Sequence, residues 1–203
     1  MSTITSLDEL LALYDQPLET ATVKEIDVVS PLHRRYIEAS PFVLVASSGP
    51  DGLDCSPRGD PAGFVAVVDP TTLHLPDRRG NNRLDTLRNL VLDPRIGLLF
   101  LVPGVGVTLR VNGTATLSAD PGLLDRYAID GRRPTTVVVV HVTSVYTQCP
   151  KAIIRARLWD PAQHRDPATL PSVGEILSSI TDGAFDGPAY DAAYPERVKA
   201  TIY

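Results

Sequence analysis

The residues of this chain best suited to chemistry lie in two arginine-bearing segments, SPRGD at Ser56–Asp60 and PDRRGNNR at Pro76–Arg83. Arg58 in the first and Arg78, Arg79 and Arg83 in the second carry fixed positive charge. Gly80 permits a positive φ, which lets backbone approach a ligand closely. Asn81 or Asn82 can cap the helix pattern that follows. A helix start offers unpaired N–H groups and a partial positive charge. The guest that suits such a place is a phosphate. Each segment alone also reads as a solvated basic loop or as an edge-strand salt bridge, with Asp60 pairing an arginine. Taken together they predict an anion site.

Other candidates are weaker. His33, His74, His141 and His164 have no metal-ligand spacing, there is no HExxH or CxxC, and no metal site is expected. Gly104-Val-Gly106 precedes a strand pattern rather than a helix, so it is read as a turn and not a dinucleotide fingerprint. Ser47-Ser48-Gly49 lacks the nucleophile-elbow pattern. Cys55 and Cys149 cannot form a disulfide framework, and Cys55, within a strand pattern, is expected in the core or beside a ligand. Trp159, the only tryptophan, follows Lys151, Arg155 and Arg157; it can pack in the core or stack on an aromatic ligand.

The elements that must position these residues alternate short strands and helices. Ser6–Glu9 is a capping box ahead of Leu7, Leu10, Leu11 and Tyr14. Ser30-Pro31 caps a second helix over LHRRYIEAS. FVLVAS from Phe42 and LDCSPR to Arg58 read as a hairpin about SGPDG. Alternation puts Leu53, Cys55 and Pro57 on one face of the return strand and Asp54, Ser56 and Arg58 on the other. Pro57 places that strand at an edge or bulge. FVAVVD (Phe64–Asp69) and TLHLP (Thr72–Pro76) form the next hairpin. RLDTLRNLVL then carries Leu84, Leu87 and Val91 in helical register until Asp93-Pro94. RIGLLFLV (Arg95–Val102) reads as a continuously buried strand. VTLRVNGTATLS (Val107–Ser118) alternates with a bulge or bend at Asn112-Gly113. A short helix runs from Asp120-Pro121 to about Tyr127. TTVVVVHVTSVYTQ (Thr135–Gln148) is the last core strand, PKAIIRARLW (Pro150–Trp159) an amphipathic helix, and Ser172–Glu175 the start of a small terminal helix.

These runs predict a mainly β, α+β fold of about six antiparallel strands with short peripheral helices, a closed or split barrel. One domain is expected over 1–203, with an N-terminal helical extension (1–38) and a C-terminal helical tail (160–203). Hydrophobic residues make up 43% of the chain and mean hydropathy is +0.02, enough for a sizeable core. The formal charge of −5 argues against a general nucleic-acid partner. A local basic cluster on an acidic chain points instead to a small anion. The N-terminal stretch carries acids and lacks an apolar signal core, and no stretch is long and apolar enough for a bilayer, so a cytoplasmic protein is expected.

Five motifs in fixed order give a more specific reading: Ser56–Asp60, Pro76–Arg83, the apolar strand Leu98–Gly104, TLRVNG at Thr108–Gly113, and the KAxxRxxLW pattern at Lys151–Trp159. From about residue 38 onward the chain resembles the pyridoxamine 5′-phosphate oxidase-like flavoproteins, in particular their FMN-dependent branch. The resemblance implies an FMN-binding split β-barrel that works as a homodimer with FMN at the subunit interface. It implies that Ser56, Pro57 and Arg58 line the flavin, that Leu75, Pro76 and Asp77 lie along its ring, and that Asn81, Asn82 and Arg83 hold its phosphate with help from Thr86. Lys151, Arg155 and Trp159 would approach from the late helix, across the dimer. The chain departs from the vitamin oxidases at its end, where GAFDGPAYDAAYPERVKATIY replaces a basic segment, which speaks against a phosphorylated vitamin as substrate.

The implied activity is that of an FMN-dependent oxidoreductase acting on an unidentified small molecule. No side-chain acid or base stands out. A deazaflavin-dependent reductase on the same fold is the alternative; its longer anionic cofactor would need further cations such as Arg132 and Arg133. A non-enzymatic flavin-binding or sensor module is the other, and the family also has haem-binding members.

Overall fold

The structure, a computed structural model, describes residues 3–203. Seven strands form one antiparallel sheet: β1 (Phe42–Gly49), β2 (Gly52–Gly59), β3 (Ala66–Asp69), β4 (Thr72–Asp77), β5 (Arg95–Leu101), β6 (Thr108–Ser118) and β7 (Thr136–Gln148). Their order is β2-β1-β5-β6-β7-β4-β3. The sequence pattern implied about six; all seven fall on runs marked there, and the shortest, β3, is a four-residue edge strand that pairs with β4 as the hairpin reading expected. β6 and β7 are the long central pair, and runs of Val and Thr suit them to a half-buried pleated surface. β2 is the opposite edge, which accommodates Pro57 without loss of a ladder bond on both sides. Both sheet ends contribute walls to one cleft, so the sheet curls into a barrel that stays split between them.

The core is aliphatic. Val43, Val45, Leu73, Leu98, Phe100, Leu109, Val111, Val140 and Val145 are all buried, contributed by five strands. The ladder shifts register between Asn112 and Gly113, the bend expected there. Glycine is needed at that point because a Cβ on Gly113 would run into the His141 carbonyl.

β5 corrects one expectation. It is not buried on both faces: Ile96, Leu98 and Phe100 enter the core, while Leu99 and Leu101 are half-buried on the outer face. That outer face continues through Leu44 and Phe42 of β1, which lie opposite Leu99 and Leu101, and onto Pro57 and Cys55 of β2, opposite Leu44 and Ala46. Leu53, at the end of the row, is 89% exposed. The two faces of β2 are therefore placed opposite to an ordinary edge strand. Its apolar face meets solvent and its polar face, Asp54, Ser56 and Arg58, is partly covered. Cys55 is exposed on the outer face, not in the core.

Eight α-helices surround the sheet: α1 (Leu7–Leu11), α2 (Glu19–Thr22), α3 (Pro31–Ala39), α4 (Asp85–Leu92), α5 (Pro121–Arg126), α6 (Lys151–Ala156), α7 (Val173–Ile180) and α8 (Gly187–Thr201). α3 starts on Ser30, whose hydroxyl accepts from His33 N–H at 3.2 Å, and seals one side of the core with Ile37. α4 packs on β1, β2 and β6 and covers the polar face of β2. α6 is shorter than the sequence suggested: Arg157 takes a left-handed conformation and ends it before Trp159. The tail holds two helices rather than one, and the fifteen-residue α8 is the longer. No helix of the described residues is long and apolar enough to cross a membrane.

Candidate functional site

The two arginine-bearing segments meet. β2 ends in Ser56–Asp60 at one edge of the sheet, and β4 runs into Pro76–Arg83 near the other. Between them lies a cleft of about 1050 Å³, also walled by Phe64, by Thr135 and Thr136 at the start of β7, by the first turn of α4, and by Ile202 and Tyr203. Its size matches the upper range of small-molecule sites. Four arginines (Arg58, Arg78, Arg79, Arg83) and three aspartates (Asp60, Asp77, Asp85) line it, leaving one positive charge in excess on an acidic chain.

A polar network fixes the β2 wall. Thr86, buried in the first turn of α4, donates to Asp54 at 2.5 Å and accepts from Arg58 at 3.3 Å. The Ser56 hydroxyl donates to the same Asp54 carboxylate at 2.9 Å. Arg58 also faces Asp77 across the cleft at 3.8 Å. Asp54 thus holds both hydroxyls by their protons and orients Arg58 through Thr86. In the sequence, Asp54 stands on the polar face of β2 with no evident role of its own. Its alternation with Ser56 and Arg58 is the available signal.

Burial pushes the Asp77 carboxyl above its ordinary value of 3.8, and the Arg58 guanidinium pulls against that shift without cancelling it. A carboxyl raised in the folded state binds more protons folded than unfolded between the two values. Its contribution to stability is complete below 3.8 and is lost as pH rises through the folded value. Urea unfolding of wild type and Asp77→Asn over a pH series should therefore show wild type losing ground to the variant as pH rises from about 4. A difference that stays flat with pH would contradict this placement.

The loop Asp77–Leu84 differs from its expected geometry. Gly80 does not take a positive φ; Asn82 (φ 60°) and Leu84 (φ 63°) do. Neither Asn81 nor Asn82 caps α4. The N-cap position is Leu84, with no side-chain cap, and the Asn81 side chain instead accepts from Arg83 N–H at 3.1 Å. The first N–H groups of α4 consequently have no side-chain acceptor, and the residues of that first turn line the cleft. Arg83 reaches Asp85 at 2.8 Å with a largely exposed side chain, and Arg79 has no ion-pair partner among the described residues. Arg78 is committed to structure: Nε donates to Asp60 at 2.9 Å and Nη1 to the Tyr127 carbonyl at 2.6 Å.

Of the residues expected at the site, Ser56, Pro57, Arg58, Pro76, Asp77, Asn81, Asn82, Arg83 and Thr86 line the cleft. Leu75 does not; its side chain is 2% exposed and belongs to the core. Lys151, Arg155 and Trp159 lie outside the cleft of their own subunit. Trp159 donates its indole N–H to the Val105 carbonyl at 2.9 Å and so pins the Gly104–Gly106 turn. Sequence reasoning missed Thr136, Phe64 and Tyr203. Thr136 lines the cleft, and its hydroxyl is shielded from water without a hydrogen-bond partner. Among the described residues, no cluster of His, Cys, Asp and Glu could hold a metal ion.

No curated protein matches the chain. Among solved structures, HupZ of Group A Streptococcus is 16% identical over 59% of this chain and 94% of its own, with a TM-score of 0.49. A proposed pyridoxamine 5′-phosphate oxidase of Lactobacillus delbrueckii is 18% identical over 60% and 95%, with a TM-score of 0.47. General stress protein 26 of Bacillus anthracis is 12% identical over 56% and 88%, with a TM-score of 0.42. The family model described as pyridoxamine 5′-phosphate oxidase matches residues 29–149, which take in all seven strands and both arginine-bearing segments. On that match over more than half of its length, the chain belongs to the pyridoxamine 5′-phosphate oxidase family.

Proposed function

We propose that the cleft binds FMN and that the protein is an FMN-dependent oxidoreductase acting on a small molecule. The observation that carries this reading is the convergence of Ser56–Arg58, Pro76-Asp77 and Asn81–Thr86 on one cleft with an excess of positive side-chain charge. The residues present fit the cofactor. Arg79, Arg83 and the uncapped N–H groups of α4 would hold the phosphate. Because Asp54 already accepts the protons of Ser56 and Thr86, neither hydroxyl would donate to phosphate, and Thr86 serves instead to position Arg58. Arg58 and Asp77, which face each other across the cleft, would then stand beside the bound flavin. Bound there, FMN supplies the hydride or electron transfer. The chain itself orients it, keeps a cation beside it, and excludes water with Pro57, Pro76 and Phe64.

The deazaflavin alternative needs free cations beyond the phosphate loop. Arg132 donates to the Tyr203 main-chain oxygen at 2.9 Å and Arg133 is paired with Asp125. Both arginines named for that role are engaged, which favours the shorter cofactor.

We further propose a homodimer through the outer face of β1, β2 and β5. An exposed row of Leu53, Cys55, Pro57 and Phe42 beside half-buried Leu44, Leu99 and Leu101 calls for a cover. A second copy supplies the same apolar face by two-fold symmetry. Pro57 belongs to both surfaces: its neighbours Ser56 and Arg58 line the cleft, so dimerisation and cofactor binding share a strand. The test is retention of FMN after gel filtration, with the phosphate-free riboflavin as the comparison.

A further inference from the structure

We propose that Tyr203, delivered by α8, is a specificity-determining residue that closes the substrate side of the cleft and admits compact, uncharged molecules; this rests on the flavin reading above. The Asp60 carboxylate is 1% exposed. One of its oxygens accepts from Arg78 Nε at 2.9 Å and the other from the Tyr203 hydroxyl at 2.8 Å. Arg132 donates to the Tyr203 main-chain oxygen at 2.9 Å. Two polar anchors therefore tie this residue to the end of β2 and to the α5–β7 connection. α8 itself packs chiefly on α7, where Gly174 lies against Gly187, and has little contact with the sheet. The closure of the cleft by Ile202 and Tyr203 thus depends on these two polar contacts, the hydroxyl–carboxylate one being charge-assisted, rather than on helix packing.

The chemistry of this end differs from that of the phosphate loop. Asp60 and Arg78 neutralise each other, and the remaining walls are Phe64, Ile202 and the Tyr203 ring. Of the cleft's other arginines, Arg58 faces Asp77, and Arg79 and Arg83 are the ones assigned to the phosphate. An anionic substrate finds no partner there, while a flat neutral molecule finds apolar and aromatic surface.

Wild type, Tyr203→Phe and Tyr203→Ala separate anchoring from closure. Trypsin cleavage after Arg197, followed by mass spectrometry on protein without added cofactor, reads how firmly the segment is docked. Loss of the charge-assisted hydroxyl contact should speed cleavage about tenfold in Tyr203→Phe. In the FMN-loaded proteins, photoreduced flavin is reoxidised with p-benzoquinone, a compact neutral acceptor, and with ferricyanide, a bulky trianion. Wild type should favour the quinone, and Tyr203→Ala should raise the ferricyanide rate relative to the quinone rate. Equal cleavage in wild type and Tyr203→Phe, or one rate ratio across all three proteins, overturns the proposal. A wild-type chain that binds no FMN overturns the flavin reading itself, and the cleavage rates, which need no cofactor, then decide whether Tyr203 anchors the segment.

Discussion

Leu53→Asp should convert the proposed dimer to a monomer. Leu53 is 89% exposed in the single chain, at the end of an apolar row on the outer face of β2, and a two-fold interface uses that residue twice. Burial of a leucine side chain is worth about 1.5–3 kcal/mol, and the substitution also places a carboxylate where it must be desolvated. Counting both copies, the dimer constant should fall by at least about a hundredfold. Sedimentation equilibrium reads this directly. The fold of the subunit should survive, since Leu53 lies outside the core of its own chain, and an unchanged far-ultraviolet spectrum would show that. FMN affinity should fall with the dimer, because Ser56 and Arg58 sit on the same strand. A variant that remains dimeric would place the interface elsewhere.

Arg58→Ala should weaken FMN binding by roughly 1.5–3 kcal/mol, or about ten- to a hundredfold, the usual worth of a hydrogen bond to a charged group. Arg58 is held between the Thr86 hydroxyl and Asp77, so it is positioned before any ligand arrives. Its loss also leaves the desolvated Asp77 without its counter-charge and pushes that carboxyl further toward its neutral form. Arg58→Lys should recover part of the affinity, since charge returns but the forked geometry does not. Fluorescence titration of FMN measures both variants. Wild-type affinity in Arg58→Ala would remove this residue from the site.

The strands were legible because their signals are local. Alternation marked β2, β4 and β6, and valine and threonine runs marked β7. The bulge at Asn112-Gly113 followed from one glycine in an alternating run. Which face of β2 turned inward was also readable as a division of residues, but not as a direction. Composition alone would bury Leu53 and Cys55, and the structure instead turns Asp54, Ser56 and Arg58 toward α4. The apolar run of β5 misled for the same reason: a half-buried apolar outer face looks, in sequence, like a second core face.

At the site, the two arginine-bearing segments were legible from residue type and spacing. The backbone of the second was not. Gly80 offered the freedom that Asn82 and Leu84 use, and an asparagine that could have capped α4 turns back onto Arg83 instead. Leu75 was placed at the cleft by the family resemblance, while the alternation of β4 sends its side chain to the core. Tyr203 and Thr136 had no local signal at all, because their part in the cleft depends on contacts made across the chain.

The most direct test of the FMN site mixes the purified protein with FMN, removes the excess by gel filtration and takes the absorption spectrum, with riboflavin in a parallel sample. A yellow protein with about one FMN per chain and little retained riboflavin is expected under the proposal that the loop and the α4 start hold the phosphate. A colourless protein, or equal retention of the two flavins, would show that this cleft is not a phosphate-anchored flavin site.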